Sequence, residues 1–551
     1  PLPAAAVAFY VAPPPNVSPT SNGSDGHGGM LSPDGRHFAF SGVDRSTGEI
    51  AIYVRAMSVV DTRKIPGTEH GLYPFWSPNN RSIAFYAAGK LKRVDIDGQA
   101  LQVICDARTG GWGGSWNAED VIVAGLDDPG PLMKVSARGG TPEPATRLQV
   151  NEEDHDFPQF LPDQRHFLYT AWGNDAIGQG AAFVGSLDST DQVLVRHDMS
   201  DPPSYSDPGQ LVFIRKRTLM AQPFDLGTLK LQGEPVPLVT PARGPVVASA
   251  SGALAYVTSA SKSDRRVFWI DERGGDERAA MPAGYVADTA VSPDGSMVAY
   301  AKKDSETSTA DIWIRDLASG GDRRLTFDPA EDVSPVWSPD SQTIVFASNR
   351  RGGTALYRKP ASGAGEEAPI SPATTASQLL VSQWHPTAGI VYYGGVPSWD
   401  LLLLGPDKTT TRLVATPASE GRGVISPDGR WLAYDARETS RFEIYVTTMP
   451  PSAGKWMATT QGGAEPRWSK DGKQLFYISS VTGALMAMDV SIAGTPAFGL
   501  PRRVHPGPID WGWFSSHTYD VDPKTGRLLI TVANQPGELT VLLNWRSLLA
   551  R

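Results

Sequence analysis

Four short runs hold the carboxylates and imidazoles whose types and spacing suggest chemistry: Glu69-His70, Glu152-Glu153-Asp154-His155-Asp156, Glu331-Asp332 and Glu465. Carboxylate oxygens suit hard cations, and imidazole with carboxylate suits transition metals. The same groups would also hold a cationic peptide. Alternate residues on a strand point to one face, which puts Asp154 and Asp156 within reach of one ion. The plain alternative is that the triplet only starts a surface strand and that all four runs form a solvated acidic rim. Bare rim, metal site and peptide site all stand at this level. No catalytic residue, metal or cofactor is assigned. A G-x-S-x-G elbow, an HExxH helix and an EF-hand loop are all missing from the sequence, so no enzyme activity is expected.

The runs share a place in the chain: each lies just ahead of an apolar strand that opens a repeated hairpin unit. The unit is clearest from Asp328 to Arg351, DPAEDVSPVWSPDSQTIVFASNRR. A strand ends at Val336-Trp337, Ser338-Pro339-Asp340-Ser341 turns, and Thr343 to Ala347 returns. Proline pre-sets φ for a tight turn, and aspartate can bond its own backbone two residues on. The returning strand is β-branched and aromatic, as a half-buried ribbon requires. The pattern recurs in Leu31–Phe40, Trp76–Phe85, Phe160–Tyr169, Val291–Tyr300, Ile425–Tyr434 and Trp468–Tyr477, with weaker copies between.

Twelve copies at a spacing of about 44 residues predict four-stranded propeller blades and very little helix. One ring of twelve would leave a wide, unfilled channel. The expected fold is therefore all-β, with two tandem six-bladed β-propellers of four-stranded blades. Residues 1–29 are expected to be a linker with a ring-closing strand, 30–280 the first propeller and 281–551 the second, with the break between Gly274 and Ala287. A ring must close without an exposed sheet edge. Val7–Val11 is expected to supply an outer strand to blade six, and Thr540–Trp545 to close the second ring. In a propeller the first strand of a blade lines the channel, so the four acidic runs are expected at the channel mouths. Trp76, Trp116, Trp337, Trp384 and Trp468 recur on first strands and are read as packing between blades.

Bulk composition agrees. The 551 residues carry net charge -9 and no Lys/Arg-rich run, which argues against nucleic acid as a partner. No apolar run reaches the 18 or so residues that span a bilayer. Cys105 is the single cysteine, which excludes an intrachain disulfide and reads as a small buried hydrophobe.

These motifs carry a resemblance. SPDG, two variable residues, then an apolar-Ala-aromatic strand, resembles the TolB-like propeller repeat. PFWSPNNRSIAFYAAGKLKRVDIDG, FPQFLPDQRHFLYTA and LTFDPAEDVSPVWSPD are similar to the propeller region that follows the transmembrane segment in certain bacterial, Acidobacteria-type serine/threonine protein kinases. The likeness runs from Val7 to about Leu548, while the kinase motifs themselves are absent. The resemblance implies an extracytoplasmic module, in the periplasm or at the cell surface, that senses or binds. The expected function is thus non-enzymatic recognition of a protein or peptide at the channel mouths. Two alternatives remain: a self-assembling or filament-forming surface protein that uses residues 7–11, and a metal-dependent propeller enzyme.

Overall fold

The structure is a computed structural model. It describes residues 5–19 and 29–549, apart from 45–46, 48, 60, 108–111, 128, 151, 174–179, 200, 259–264, 276, 285, 304–308, 375–378, 396–397, 439–440, 453, 493, 508, 510–516 and 534–537. Residues 1–4 and 20–28 of the expected linker lie outside that set. Among the described residues the chain is all-β, with one 3-10 turn at Trp545–Leu548. The strands form twelve antiparallel sheets of four or five strands, consistent with propeller blades.

The turn chemistry read from the sequence is what closes each hairpin. The Ser338 hydroxyl donates to the Asp340 carboxylate at 2.5 Å and accepts the Thr343 N–H at 2.9 Å, while Asp340 accepts the Gln342 N–H at 3.0 Å. The same serine-to-acid bond recurs at Ser32–Asp34, Ser292–Asp294, Ser426–Asp428 and Ser469–Asp471. The fourth turn residue has a left-handed backbone, which favours glycine, as at Gly295 (φ 69°), although Ser341 (φ 60°) and Gln164 (φ 62°) also adopt it.

Two compact units divide the sheets, six to each. Unit 1 is Pro1–Ser261 with Pro536–Arg551, and unit 2 is Lys262–Gln535. In unit 1 the innermost strand Gly29–Leu31 packs on Leu72–Trp76, that on Gly114–Trp116, and that on Glu152–Phe160. Leu161 and Leu168 then share an apolar cluster with Tyr205 and Phe213. Ser204–Ser206 packs on Arg243–Ala248, which returns to Gly29–Leu31. In unit 2 the order is Val286–Val291, Asp332–Trp337, Leu380–His385, Glu420–Ile425, Ala464–Trp468 and Tyr519–Val521, the last packing back on the first. Apolar side chains fill the spaces between sheets; Cys105 sits in one such cluster, its thiol pushed up to about 11 by burial.

The strand pairing differs from expectation at the ends. Glu538–Leu543, expected to close the second ring, lies in unit 1 between Val7–Tyr10 and Leu254–Thr258, with Val7 opposite Leu543 and Leu254 opposite Leu542. Arg265–Ile270, the strand that follows Leu254–Thr258 in the chain, pairs with Leu528–Ala533 in unit 2. The chain thus leaves unit 1 after Ser261, ahead of the break expected at 274–287, and returns to it at Pro536. The physical reason is edge closure: the last sheet of a cyclic set is completed by strands from the other end of the chain. Val7–Tyr10 is the outer strand of that sheet, where it was expected. Val17–Pro19, within the expected linker, is a short strand paired with Gly42–Asp44.

The recurring tryptophans lie between sheets. Trp76, Trp116, Trp337 and Trp468 are buried, and Trp384 is partly buried in the same kind of interface. The indole N–H of Trp76 donates to the Met30 carbonyl at 3.0 Å, and that of Trp468 to the Val424 carbonyl at 3.2 Å, each on the neighbouring innermost strand.

Candidate functional site

The four acidic runs divide between the two units, and half of their carboxylates, those of Asp154, Asp156, Asp332 and Glu465, are buried. Glu69 and His70 are exposed in the turn before Leu72–Trp76, where the His70 N–H bonds the Ile50 carbonyl at 2.8 Å. Asp154 accepts the Gly130 and His155 N–H groups at 2.8 and 3.0 Å. Asp156 is buried and raises the pKa of the Tyr86 hydroxyl, whose larger perturbation is its own burial. Glu153 is half-buried, and burial pushes its pKa up. Glu331 is pushed up mainly by burial as well, and its N–H bonds the Asn349 side chain at 3.0 Å. Asp332 is buried against Arg350, 2.8 Å from one guanidinium nitrogen; burial still leaves its pKa above the usual range. Among the described residues, no three of His, Cys, Asp and Glu converge to hold a metal ion.

One arrangement in unit 1 has the outline of a catalytic triad. His155 Nδ1 is 2.8 Å from the Thr146 hydroxyl, and its Nε2 is 3.1 Å from Glu152. Thr146 and His155 are 2% and 0% exposed, however, and the Thr146 oxygen already accepts the Leu132 N–H at 2.9 Å. Thr68, Thr326 and Thr459 accept the N–H of Ile52, Ile312 and Ile444 in the same way. The threonine is therefore a repeated blade brace. Burial drives the His155 pKa down, so the ring is neutral and structural.

The feature that the sequence reading missed is a bulge in the innermost strands. The pairing register shifts at Leu72/Phe75, Asp156/Gln159, Ala287/Ala290, Val333/Val336, Gly421/Val424 and Ala464/Arg467. At each shift one non-glycine residue is left-handed: Tyr73, Phe157, Asp288, Ser334, Arg422 and Glu465, with φ between 48° and 55°. Such a conformation costs about 1–3 kcal/mol per residue and collects at functional sites. A signal was present in the sequence. Tyr73, Phe157, Ser334 and Glu465 each precede a proline within an x-Pro-x-aromatic run that leads into the turn. A bulge re-aims the side chain of its strand.

In unit 2 the re-aimed side chains neutralise one another in the interior. Arg422 lies 3.1 Å from Asp435 and 3.8 Å from Glu465, and all three are buried. Burial works against the Arg422 charge, but Asp435, Tyr393 and Glu465 outweigh it and hold the pKa above the usual value. Glu465 accepts the Thr518 N–H and hydroxyl at 3.0 and 2.7 Å, and burial nevertheless raises its pKa. Asp288 accepts the Ser334 and His517 N–H groups at 3.1 and 3.3 Å. His517 Nε2 donates to the Ser382 carbonyl at 2.8 Å, three sheets away in the cycle, and burial keeps the ring neutral. This network is a polar plug, closed to solvent.

In unit 1 the corresponding positions carry aromatic rings that remain half-buried. Tyr73 and Trp112 are 5.2 Å apart between centroids, and Trp112 and Phe157 are 6.3 Å apart, each pair tilted by about 50°. The Phe157 N–H bonds the Trp112 carbonyl at 3.0 Å, which fixes the second pair. Tyr86, edge-on to Tyr73, holds its hydroxyl between the Gly113 and Gly125 carbonyls at 2.8 and 2.9 Å. Two innermost strands, and the bend just ahead of the strand Gly114–Trp116 between them, thus present one fan of rings. The three rings offer faces that can stack and bury apolar surface.

Comparisons with known proteins agree with the repeat. Residues 210–384 match the family model described as TolB beta propeller domain. A stretch of 46 residues is 48% identical to the Tol-Pal system protein TolB of Anaeromyxobacter dehalogenans (strain 2CP-1), covering 8% of this chain and 10% of that protein. A stretch of 77 residues is 36% identical to the uncharacterized peptidase YuxL of Bacillus subtilis (strain 168), covering 13% and 12%. The chain spans about a tenth of the length of these curated relatives. Among solved structures, TolB from Acinetobacter baumannii aligns at 15% identity and a TM-score of 0.36, over 54% of this chain and 78% of that one. The tricorn protease aligns at 12% and 0.27, over 78% and 58%. Residues 210–384 thus carry TolB-like PD40 propeller repeats.

Proposed function

We propose that this TolB-like repeat protein is a non-enzymatic, extracytoplasmic recognition scaffold, that each unit is a six-bladed propeller, and that unit 1 binds a peptide segment of a protein partner over its aromatic fan. The carrying observation is the pairing of Tyr73, Trp112 and Phe157 as half-buried rings, Tyr73 and Phe157 on innermost strands and Trp112 in the bend before the strand between them. The cyclic order of sheet contacts supports the propeller reading. Aromatic rings bury large area with little loss of side-chain freedom, and so anchor interfaces. Unit 1 holds 28 Asp and Glu against 22 Lys and Arg, which favours a peptide with basic residues around an apolar anchor. A sensing role beside a kinase is the finer form of this reading and rests on sequence resemblance alone.

Panning a phage-displayed random-peptide library on the full chain tests the proposal. We expect enrichment of basic peptides with an apolar anchor, lost when Trp112→Ala is the bait. No enrichment, or equal enrichment on both baits, contradicts it.

Self-assembly is the second reading. It is favoured by the place of Val7–Tyr10 at the outer edge of its sheet, with Val7 and Tyr10 50% and 46% exposed. An edge strand of this kind can pair with another chain.

A further inference from the structure

We propose that unit 2 carries an anion site, separate from the recognition surface above, in a cleft of about 430 Å³ lined by Glu272, Arg273, Gln474, Arg502 and Arg503, and that this cleft takes a phosphoryl group. In a chain with 59 acidic and 50 basic residues, the lining of this cleft includes three arginines and one glutamate.

A tight turn fixes the backbone that carries Arg273. Asp271 accepts the Arg273 and Gly275 N–H groups at 2.8 and 2.9 Å, and the backbone bonds hold its carboxyl below the usual range. Gly274 has φ 87°, and a Cβ there would lie 1.9 Å from the Val504 carbonyl oxygen. Only glycine lets the turn sit this close to the strand Arg502–His505. Arg502 completes the junction by donating to the Glu272 carbonyl at 2.8 Å. The turn that carries Arg273 thus lies against the strand that carries Arg502 and Arg503 in the neighbouring sheet.

The number of guanidiniums selects the ligand class. One carboxylate carries a single charge and two oxygens. A phosphoryl group carries about -1.5 to -2 and three strong acceptor oxygens, and it matches the planar guanidinium fork. The cleft is open to solvent, so the group can belong to a soluble phosphorylated molecule or to a lipid headgroup.

The full chain is titrated calorimetrically with inorganic pyrophosphate at constant ionic strength and, separately, sedimented with vesicles of phosphatidylcholine and phosphatidic acid. Arg273→Ser and the double variant Arg273→Ser/Arg503→Ser are compared with Arg165→Ser, which removes a cation in unit 1. Binding in either arm that falls at least about ten-fold in the double variant and is unchanged in Arg165→Ser supports the site, and the arm that responds identifies the source. The single Arg273→Ser variant, which alters only an exposed side chain, should show part of the loss. Absence of binding in both arms, equal binding by all variants, or an equal loss in Arg165→Ser overturns it.

Discussion

The Trp337 indole N–H donates to the Ala290 carbonyl at 3.0 Å, tying two innermost strands of unit 2 across the space between their sheets. Trp337→Phe keeps most of the buried ring and loses that bond. The expected destabilisation is about 1–3 kcal/mol, since the buried carbonyl is left without its donor. Trp337→Ala also opens a cavity and is expected to cost about 3–5 kcal/mol. Denaturant unfolding followed by calorimetry checks the order of the two.

Arg422 bridges Asp435 and Glu465 in the plug of unit 2. Arg422→Ala leaves two buried carboxylates without it, and about 3–5 kcal/mol of stability is expected to go. Adding Asp435→Asn and Glu465→Gln should restore a large part. The thermal transition of unit 2 is the readout, and a silent Arg422→Ala would contradict the network.

Glu420 gives the fold a pH dependence. Its side chain is buried, and burial raises its pKa from the ordinary 4.5 to about 7, with Thr416 opposing and Asp400 and Glu438 adding to the rise. The folded state therefore keeps a proton that the unfolded state releases. Stability is unaffected below about pH 4.5, falls as pH rises from there to about 7, and then levels. The loss is at most about 3 kcal/mol. Glu420→Gln should abolish that part of the slope, and denaturant midpoints at pH 5 and pH 8 measure it.

Deleting residues 1–11 removes the outer strand Val7–Tyr10 and uncovers Glu538–Leu543. If the strand serves its own sheet, the shortened chain stays monomeric and its unit 1 melts earlier. If it serves a neighbour's, light scattering shows higher-order species for the intact chain and none for the shortened one.

Much of the fold was legible because its information is local. The Ser-Pro-Asp turn and the alternating strand after it specify a hairpin within ten residues, and twelve such hairpins specify twelve sheets. The closing strands were not legible in the same way. Leu254–Thr258 pairs with Glu538–Leu543, nearly three hundred residues on, and Arg265–Ile270 offers an equally apolar alternative close by. Nothing local to a strand chooses between such partners. The acidic runs were read as a rim because residue type carries no burial. Glu465 looks like any loop carboxylate until Arg422, Asp435 and Thr518 close around it. The bulge residues were legible only in part: the proline after Tyr73, Phe157, Ser334 and Glu465 marks the place, but Asp288 and Arg422 lack it.

The most direct test is a calorimetric titration of a panned peptide into the intact chain and into Trp112→Ala, with matching thermal unfolding of the two proteins. Binding at least about ten-fold weaker in the variant is the expected result, corresponding to the loss of one aromatic anchor. Equal affinity for both proteins would place the peptide elsewhere and contradict recognition through the ring fan of unit 1.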